Sequence, residues 1–220
     1  MSLTNETFEF LADLEKNNTK AWFEDNRDRY EQHWKSAGLA FIDQFAALVA
    51  KQDPALKAEV RLNGSLRRIN RDVRFSKDKS PYNARLHMIF WSGSHPTRSP
   101  GLHIVLQPGG VGFGAGHFAI DPKALAAYRA RILDDKDAET LQSAIASAKA
   151  VNCSLGPPDL ARIPKGFDAN HPRAELLRYK AFVARTYDKP VSAKVLGPDK
   201  ADAWMQKTTA ALMPLIRWLS

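Results

Sequence analysis

Apolar residues recur every three or four positions over residues 4–16 and again over residues 22–51, which predicts two helices early in the chain. Thr4 precedes the first series, where an N-cap residue is expected. The second series is interrupted near residues 36–38, so we expect one long or broken helix there. It should end at Asp53-Pro54, because the residue before a proline disfavours the α conformation.

Alternation of apolar and polar positions replaces the helical spacing in the middle of the chain. It predicts three strands, over residues 85–91, 102–107 and 111–118. The Pro108-Gly109-Gly110 turn is short enough to join the last two strands in a hairpin. A longer loop, over residues 92–100, separates the first strand from the second.

Helical patterns return after the strands. Asp121-Pro122 combines an N-cap residue with a proline suited to the first helical position. Further helices are predicted over residues 122–133, 138–148, 173–187 and 204–219, the last with a kink at Pro214, and residues 155–172 are predicted to form a loop. Helices around a central group of strands describe an α+β fold, in which a small antiparallel sheet packs with several helices in one globular domain over residues 1–220.

Composition limits the classes of protein to which the chain can belong. A chain of 220 residues buries on the order of 70% of the surface that its unfolded form exposes, so its core needs no disulfide. With 44% hydrophobic and 25% charged residues, the composition excludes a disordered tail and a membrane span. A single cysteine, Cys153, and an acidic N-terminal segment without a signal sequence predict a cytoplasmic protein with no membrane partner.

Positive charge is concentrated in one window, residues 67–91. This basic window contains seven lysines and arginines against two aspartates, so its net charge is +5, compared with +8 for the whole chain. So many like charges repel one another unless an anion, or carboxylates from elsewhere in the fold, lie among them. The basic window is therefore the candidate functional site.

The centre of the basic window, residues 71–82, has the sequence RDVRFSKDKSPY. Its guanidinium, ammonium and hydroxyl groups are the donors that bind phosphate or carboxylate. The predicted anion-binding residues are Arg71, Arg74, Lys77, Lys79, Ser80 and Tyr82. Phe75 and Tyr82 are expected to anchor the segment in one conformation. The alternative is a solvated loop in which Asp72 and Asp78 form internal ion pairs.

This RFSKDKSPY core, together with the later PKGFDANHP and LLRYK segments, resembles the conserved bacterial and fungal family known as domain of unknown function 2461. The resemblance extends from the helix that contains Trp22-Phe23 to the C-terminal helix. It implies no activity, because none is established for that family. Members tend to carry an acidic residue where this chain has Gln107-Pro108, which weakens any mechanism built on a carboxylate at this strand end.

A glycine-rich segment, GGVGFGAGHF over residues 109–118, places Gly112, Gly114 and Gly116 at period two. In a strand these glycines face the same side, where a ligand or another backbone can approach closely. The segment is not a P-loop, because it lacks the GK[ST] ending, and it does not match the dinucleotide-binding fingerprint. Close packing of a helix against the sheet and approach of a ligand are both consistent with the pattern.

Three histidines, His87, His103 and His117, lie on the predicted strands. Neutral imidazoles from neighbouring strands bind zinc when they converge. No carboxylate of these strands is available to orient them, and isolated histidines are usually structural, so we predict no metal site. No nucleotide-binding signature is complete, and we predict no cofactor.

The KGFDANHP segment offers the groups for acid–base chemistry, with Lys165, Asp168 and His171 within seven positions. Asp168 can orient the imidazole of His171, which makes these two residues candidates for catalysis. Asp78 in the basic window is a third candidate. Ordinary turn chemistry is the favoured explanation of the same segment, with Gly166 at the bend and Asp168 or Asn170 as a cap.

Together these residues predict a pocket for a small phosphorylated or carboxylate ligand, walled by the basic window and floored by the glycine-bearing hairpin. They specify no reaction. The alternative is nucleic-acid binding without catalysis, in which Phe75, Tyr82 or Trp91 stacks on bases. Against this alternative, the net charge of +8 is smaller than that of most dedicated nucleic-acid-binding proteins.

Overall fold

The computed structural model describes residues 3–186 and 189–220. Within these ranges the α-helices are α1 (Asn5–Lys16), α2 (Lys20–Asp25), α3 (Arg27–Arg29), α4 (Ala37–Gln52), α5 (Pro122–Leu133), α6 (Asp135–Lys149) and α7 (Ala201–Leu219). A π-helical segment, Tyr30–Ser36, joins α3 to α4, and two 3₁₀ helices span Ala174–Arg178 and Ala193–Leu196.

The strands form one antiparallel sheet in the described ranges. They are β1 (Leu56–Lys57), β2 (Leu86–Ser92), β3 (Gly101–Gln107), β4 (Gly110–His117), β5 (Ser154–Leu155) and β6 (Phe182–Arg185). Their order across the sheet is β1-β2-β3-β4-β6-β5. Gln107 pairs with Gly110, so the predicted hairpin between β3 and β4 is confirmed. The predicted α+β class, with a small antiparallel sheet and several helices, is confirmed as well.

Local signals in the sequence account for the helices that were predicted well. Asp121 caps α5, because its Oδ1 accepts hydrogen bonds from the backbone N–H groups of Lys123 and Ala124 at 2.9 and 3.0 Å. Pro122 occupies the first turn, where its missing N–H costs no hydrogen bond. Both features can be read from the sequence, since they depend only on neighbouring residues.

The sheet has a core face and a second face. On the core face, the fully buried residues Leu86, Met88 and Phe90 of β2 pair with Leu106, Ile104 and Leu102 of β3. Helix α7 covers this face, with Trp204 edge-on to Phe113 of β4. The second face carries the alternate residues, which are His87 and Ile89 of β2 and His103 and Val105 of β3. The cavities described below lie at the rim of the sheet and on this second face.

The long helix predicted over residues 22–51 is broken, but at another place than expected. Residues 36–38 are helical throughout, and the break follows α2 at Asn26. The π-helical turn that comes next buries both Tyr30 and Trp34, whose rings stack with centroids 5.2 Å apart. Packing of these two large rings therefore decides the local geometry, which spacing alone cannot reveal.

The helix predicted over residues 173–187 is wrong. Ala174–Arg178 forms only a 3₁₀ helix, and Phe182–Arg185 forms β6 between β4 and β5, whereas Tyr187 lies outside the described residues. Asp159 fixes the change of direction, because its Oδ2 accepts hydrogen bonds from the backbone N–H groups of the two residues before β6. Pairing with strands that are distant in sequence outweighs the local helical spacing.

The C-terminal helix α7 is a single element that continues past Pro214 to Leu219. Ser147 of α6 donates a hydrogen bond to the carbonyl of Ala211 at 2.8 Å, which ties the two helices together. None of the helices in the described parts of the chain, α7 included, is long and apolar enough to cross a membrane.

Candidate functional site

The basic window ends in β2, and its two arms, residues 67–71 and 81–85, pair with each other beside the start of that strand. The N–H of Arg67 donates to the carbonyl of His87 at 2.9 Å, and the N–H of Asn83 donates to the carbonyl of Ile69 at 2.7 Å. These bonds fix the backbone on both sides of the loop over residues 72–80. The arms of the window are therefore ordered by backbone pairing, while the loop between them projects outward.

Tyr82 anchors the returning arm. Its ring is 6% exposed and stacks on Phe23, with centroids 4.1 Å apart. Asn18 holds the backbone, because its Oδ1 accepts from the N–H of Tyr82 at 3.0 Å and its Nδ2 donates to the carbonyl of the same residue at 2.9 Å. Burial raises the pKa of Tyr82. Neither this ring nor that of Trp91, which is 1% exposed, can stack on bases as the nucleic-acid alternative requires.

A cleft of about 550 Å³ opens between the basic window, the end of α1 and the β3–β4 turn. We call it the outer cleft. Its lining residues are Glu15, Asn18, Arg71, Asp78, Ser80, Tyr82, Asn83, Ala84, Arg85, Gln107, Pro108 and Gly109. Of the six predicted anion-binding residues, the outer cleft brings together Arg71, Ser80 and Tyr82. Gln107, at the position where the family tends to have an acid, lines it too.

Arg71 in this cleft is already paired with a carboxylate. Its Nη1 lies 2.5 Å from Oδ2 of Asp78 and donates to the carbonyl of Ser80 at 3.0 Å. The other carboxylate oxygen, Oδ1, accepts from the N–H and the hydroxyl of Ser80 at 2.9 and 2.7 Å. The hydrogen bonds from Ser80, together with Arg71, lower the pKa of Asp78 to about 2. Asp78 therefore serves as a fixed counter-ion, and it is too weak a base near neutral pH for the catalytic role considered above.

The remaining predicted cations lie on the projecting loop and outside the cleft. Arg74 pairs with Asp72 at 2.6 Å, and its side chain is 76% exposed. Lys79 donates to the carbonyl of Val73 at 2.9 Å, and Lys77 lines none of the cavities found in the described residues. Phe75 is 95% exposed, so the expectation that it anchors the loop is wrong. The alternative of internal ion pairs with Asp72 and Asp78 holds for this part of the window.

A second pocket, of about 280 Å³, lies next to the outer cleft and shares Asn83 and Arg85 with it. We call it the arginine pocket. Its lining residues are Arg67, Arg68, Asn70, Asn83, Arg85 and His87. These residues include three arginines and no carboxylate. Arginine side chains without acids among them are the arrangement that the charge of the basic window led us to expect, but with other members than the predicted six.

The guanidinium groups of the arginine pocket are available for a ligand. Arg67, Arg68 and Arg85 make neither an ion pair nor a side-chain hydrogen bond within the described residues. Their backbones are nevertheless held in place, since the indole Nε1 of Trp34 donates to the carbonyl of Arg85 at 3.1 Å. Burial, together with the neighbouring charge of Arg68, lowers the pKa of Arg67, which stays protonated at neutral pH. An anion would relieve this mutual repulsion.

The three strand histidines do not converge. Nε2 of His87 lies 2.8 Å from Nδ1 of His103 on the second face of the sheet. His117 lies apart from them, where its ring nitrogens contact the hydroxyl of Tyr128 at 3.2 Å and the carbonyl of Arg98 at 3.0 Å. In the parts of the chain that are described, no group of three or more histidine, cysteine or acidic side chains could hold a metal ion.

The free energy of unfolding is expected to fall by about 2 kcal/mol between pH 7 and pH 5 because of His87. Burial, then the charges of Arg67 and Arg85, lower its pKa from 6.5 to about 4. Between pH 6.5 and about pH 4, the imidazole of His87 is protonated in the unfolded chain and neutral in the folded chain. The free energy of unfolding therefore rises with pH. Urea unfolding at each pH measures the slope. His87→Gln should reduce this slope, and an unchanged slope in the variant would contradict a neutral imidazole at this position.

The KGFDANHP segment lies away from these pockets, since neither Asp168 nor His171 lines the outer cleft or the arginine pocket. Oδ1 of Asp168 accepts from the backbone N–H of Asn170 at 2.9 Å, and Nδ1 of His171 accepts from that of Arg173 at 3.1 Å. Gly166, with φ of +92°, makes the bend. The structure therefore supports turn chemistry for this segment.

The backbone of another strand occupies the space beside Gly114 and Gly116 of β4. A Cβ atom at Gly114 would meet the carbonyl oxygen of Ala184, and one at Gly116 would meet that of Phe182. Both carbonyls belong to β6, which pairs with β4. The close approach expected from the glycine pattern is thus made by another backbone, that of β6, and not by a helix or a ligand.

Within the basic window, a simple signal in the sequence separates the free arginines from the paired ones. Arg67, Arg68 and Arg85 have no acidic residue within three positions, whereas Arg74 stands two residues from Asp72. Short-range ion pairs form between neighbours in a loop, so cations without a nearby acid are the ones left for a ligand. Nothing in the sequence indicated that Asn70, Asn83 and His87 line the arginine pocket, because their positions depend on how the two arms of the basic window pair.

The fold and the arginine pocket define a class of protein: an α+β protein with an arginine-lined pocket at the rim of its antiparallel sheet. The chain belongs to the family described as conserved hypothetical protein (DUF2461), which matches residues 6–218. This match confirms the resemblance found in the RFSKDKSPY core. Comparison with curated proteins and with solved structures gave no match.

Proposed function

We propose that the protein binds a small phosphorylated or carboxylate ligand, with its anionic group in the arginine pocket. The observation that supports this is the set of three unpaired guanidinium groups around a lining without carboxylate. Each guanidinium offers a planar fork of donors that matches two oxygens of a phosphate or carboxylate. The amide groups of Asn70 and Asn83 can add further donors.

Unpaired arginines are uncommon elsewhere in this protein. In the described residues, the guanidinium groups without a hydrogen bond or ion pair are those of Arg67, Arg68, Arg85, Arg98 and Arg162. Three of these five line one pocket. If the free arginines were only solvated surface charges, we would expect them to lie apart, as Arg98 and Arg162 do, because like charges repel.

The sizes of the two cavities indicate how a ligand would be placed. The arginine pocket, at about 280 Å³, suits one anionic group, and the outer cleft, at about 550 Å³, is open enough for the rest of a small molecule. Arg85 lines both, so it can contact the ligand at the junction. We also propose, from the sequence alone, that the protein is cytoplasmic and forms one globular domain. We assign no reaction.

Anions should stabilise the protein against heat. A ligand at a hundred times its Kd adds about 2.7 kcal/mol, which for a chain of this length raises Tm by about 5 to 10 °C. The measurement is a thermal-shift series at low salt with inorganic phosphate, glycerol phosphate and citrate, with chloride at equal ionic strength as the control. If none of the three raises Tm at millimolar concentration, the proposed pocket does not bind anions.

Nucleic-acid binding is a second candidate, which one observation favours. Phe75 is almost fully exposed on the projecting loop, with the guanidinium of Arg74 5.8 Å from its ring centre and Lys77 and Lys79 close in sequence. An exposed aromatic ring among cations can stack on a base of a single strand. Oligonucleotide binding that falls steeply with salt and is lost in Phe75→Ala would favour this candidate over the small ligand.

A further inference from the structure

A third cavity, of about 150 Å³, adjoins the arginine pocket on the second face of the sheet. We call it the histidine cavity. Arg67 and His87 line both spaces, so the two have a common wall. Its remaining surface includes His103 and the apolar side chains of Ile89, Pro96 and Phe118. The apolar space therefore lies directly beside the arginines.

His103 has one ring nitrogen without a partner in this cavity wall. The residue is 5% exposed, and its Nδ1 lies 2.8 Å from Nε2 of His87. Its Nε2 is buried and makes no hydrogen bond within the described residues. If His103 donates to His87, this Nε2 is an unused acceptor, and if His87 donates, it is an unused N–H donor. A hydroxyl group can satisfy either form.

The apolar side of the cavity has room for a ring. A space of about 150 Å³ with apolar walls holds a benzene-sized group. Phe118 stands at the cavity, 42% exposed, with its ring edge-on to His103 at a centroid distance of 4.6 Å. A large aromatic side chain that remains exposed beside an apolar cavity gains buried area when a ligand enters.

We propose that the ligand is a small anion with a benzene-sized substituent that carries a hydroxyl group, an aryl phosphate or aryl carboxylate. The anionic group binds in the arginine pocket, and the ring enters the histidine cavity beside Phe118. The hydroxyl contacts Nε2 of His103, an atom with almost no accessible surface in the unliganded protein that must therefore be uncovered on binding. This inference rests on the proposed function, and it adds the class of substituent that accompanies the anion. It involves binding only.

Calorimetric titration with three probes tests it: inorganic phosphate, phenyl phosphate and 4-hydroxyphenyl phosphate. Phenyl phosphate should bind at least about tenfold tighter than inorganic phosphate, because it buries apolar area that phosphate lacks. The hydroxyl group of 4-hydroxyphenyl phosphate should raise the affinity further, and the His103→Phe substitution should remove that increase. Phe118→Ala should abolish the advantage of phenyl phosphate and leave the affinity for inorganic phosphate unchanged. Because Phe118 is partly exposed, this variant keeps the fold.

Phe75→Ala is the matched control, since it removes the same side chain from a site that is 95% exposed and lines none of the three cavities. It should bind all three probes as the unaltered protein does. Equal affinities for inorganic phosphate and phenyl phosphate, or an advantage that survives Phe118→Ala, overturn the inference and leave the anion site in place. If neither phosphate binds, the proposed function and the inference both fail.

Discussion

The affinity for inorganic phosphate is expected to fall about tenfold to a hundredfold when Arg85 is replaced by glutamine. A charge-assisted hydrogen bond contributes about 1.5 to 3 kcal/mol, and Arg85 lies where the arginine pocket meets the outer cleft. Its guanidinium makes no other contact of this kind in the described residues, so the substitution removes ligand interactions and no internal ion pair. Calorimetric titration at low salt measures the change.

Two other arginines make matched controls for this variant. Arg162→Gln removes the same charge from an exposed loop, where the guanidinium is likewise unpaired, and should leave the affinity nearly unchanged. Arg74→Gln removes a cation of the originally predicted set, which pairs with Asp72 outside the pocket, and should also have little effect. If all three variants weaken binding equally, the attraction comes from the overall charge of the protein and the pocket has no special role.

The Gly116→Ala variant is expected to lose about 3 kcal/mol or more of its free energy of unfolding, through overpacking of β4 against β6. The added Cβ would overlap the carbonyl oxygen of Phe182 and would lie 2.6 Å from Cα of Val183. These are backbone atoms of a paired strand, so they cannot turn aside as the end of a side chain can. Urea unfolding measures the loss.

Gly156→Ala is the control for this variant. A Cβ at Gly156 meets no atom within 4 Å, so the change should stay within about 0.5 kcal/mol. If Gly116→Ala were as stable as the unaltered protein, the backbone of β6 would not close this face of β4. The face would then be open to a ligand, as the sequence also allowed.

Several parts of the fold could be predicted because their causes are local. The helix α5 begins at a cap and a proline that are adjacent in sequence. Strands β2, β3 and β4 are seven or eight residues long, enough for alternation to be recognised. Strand β6 has four residues and β1 and β5 have two each, too few for a periodic signal, and each exists because a longer strand pairs with it.

The concentration of positive charge located the candidate site, but it did not show which residues of the basic window line the pocket. The sequence places seven cations in the basic window, and ion pairing in the folded chain removes Arg71 and Arg74 from the free set. Arg67 and Arg85 are 18 positions apart in the chain, and both line the arginine pocket because the two arms of the window pair beside β2. No local pattern encodes this proximity.

The fold class, most of the helices, the central hairpin and the stretch of chain in which positive charge accumulates can all be predicted from the order of the amino acids. These properties follow from neighbouring residues, through periodicity, capping and composition. Three features depend on the folded chain: which arginines lack a carboxylate, the contact of His87 with His103 but not with His117, and the covering of Gly114 and Gly116 of β4 by β6. Each of these depends on contacts between residues far apart in the chain, whose relative positions are set by packing and strand register.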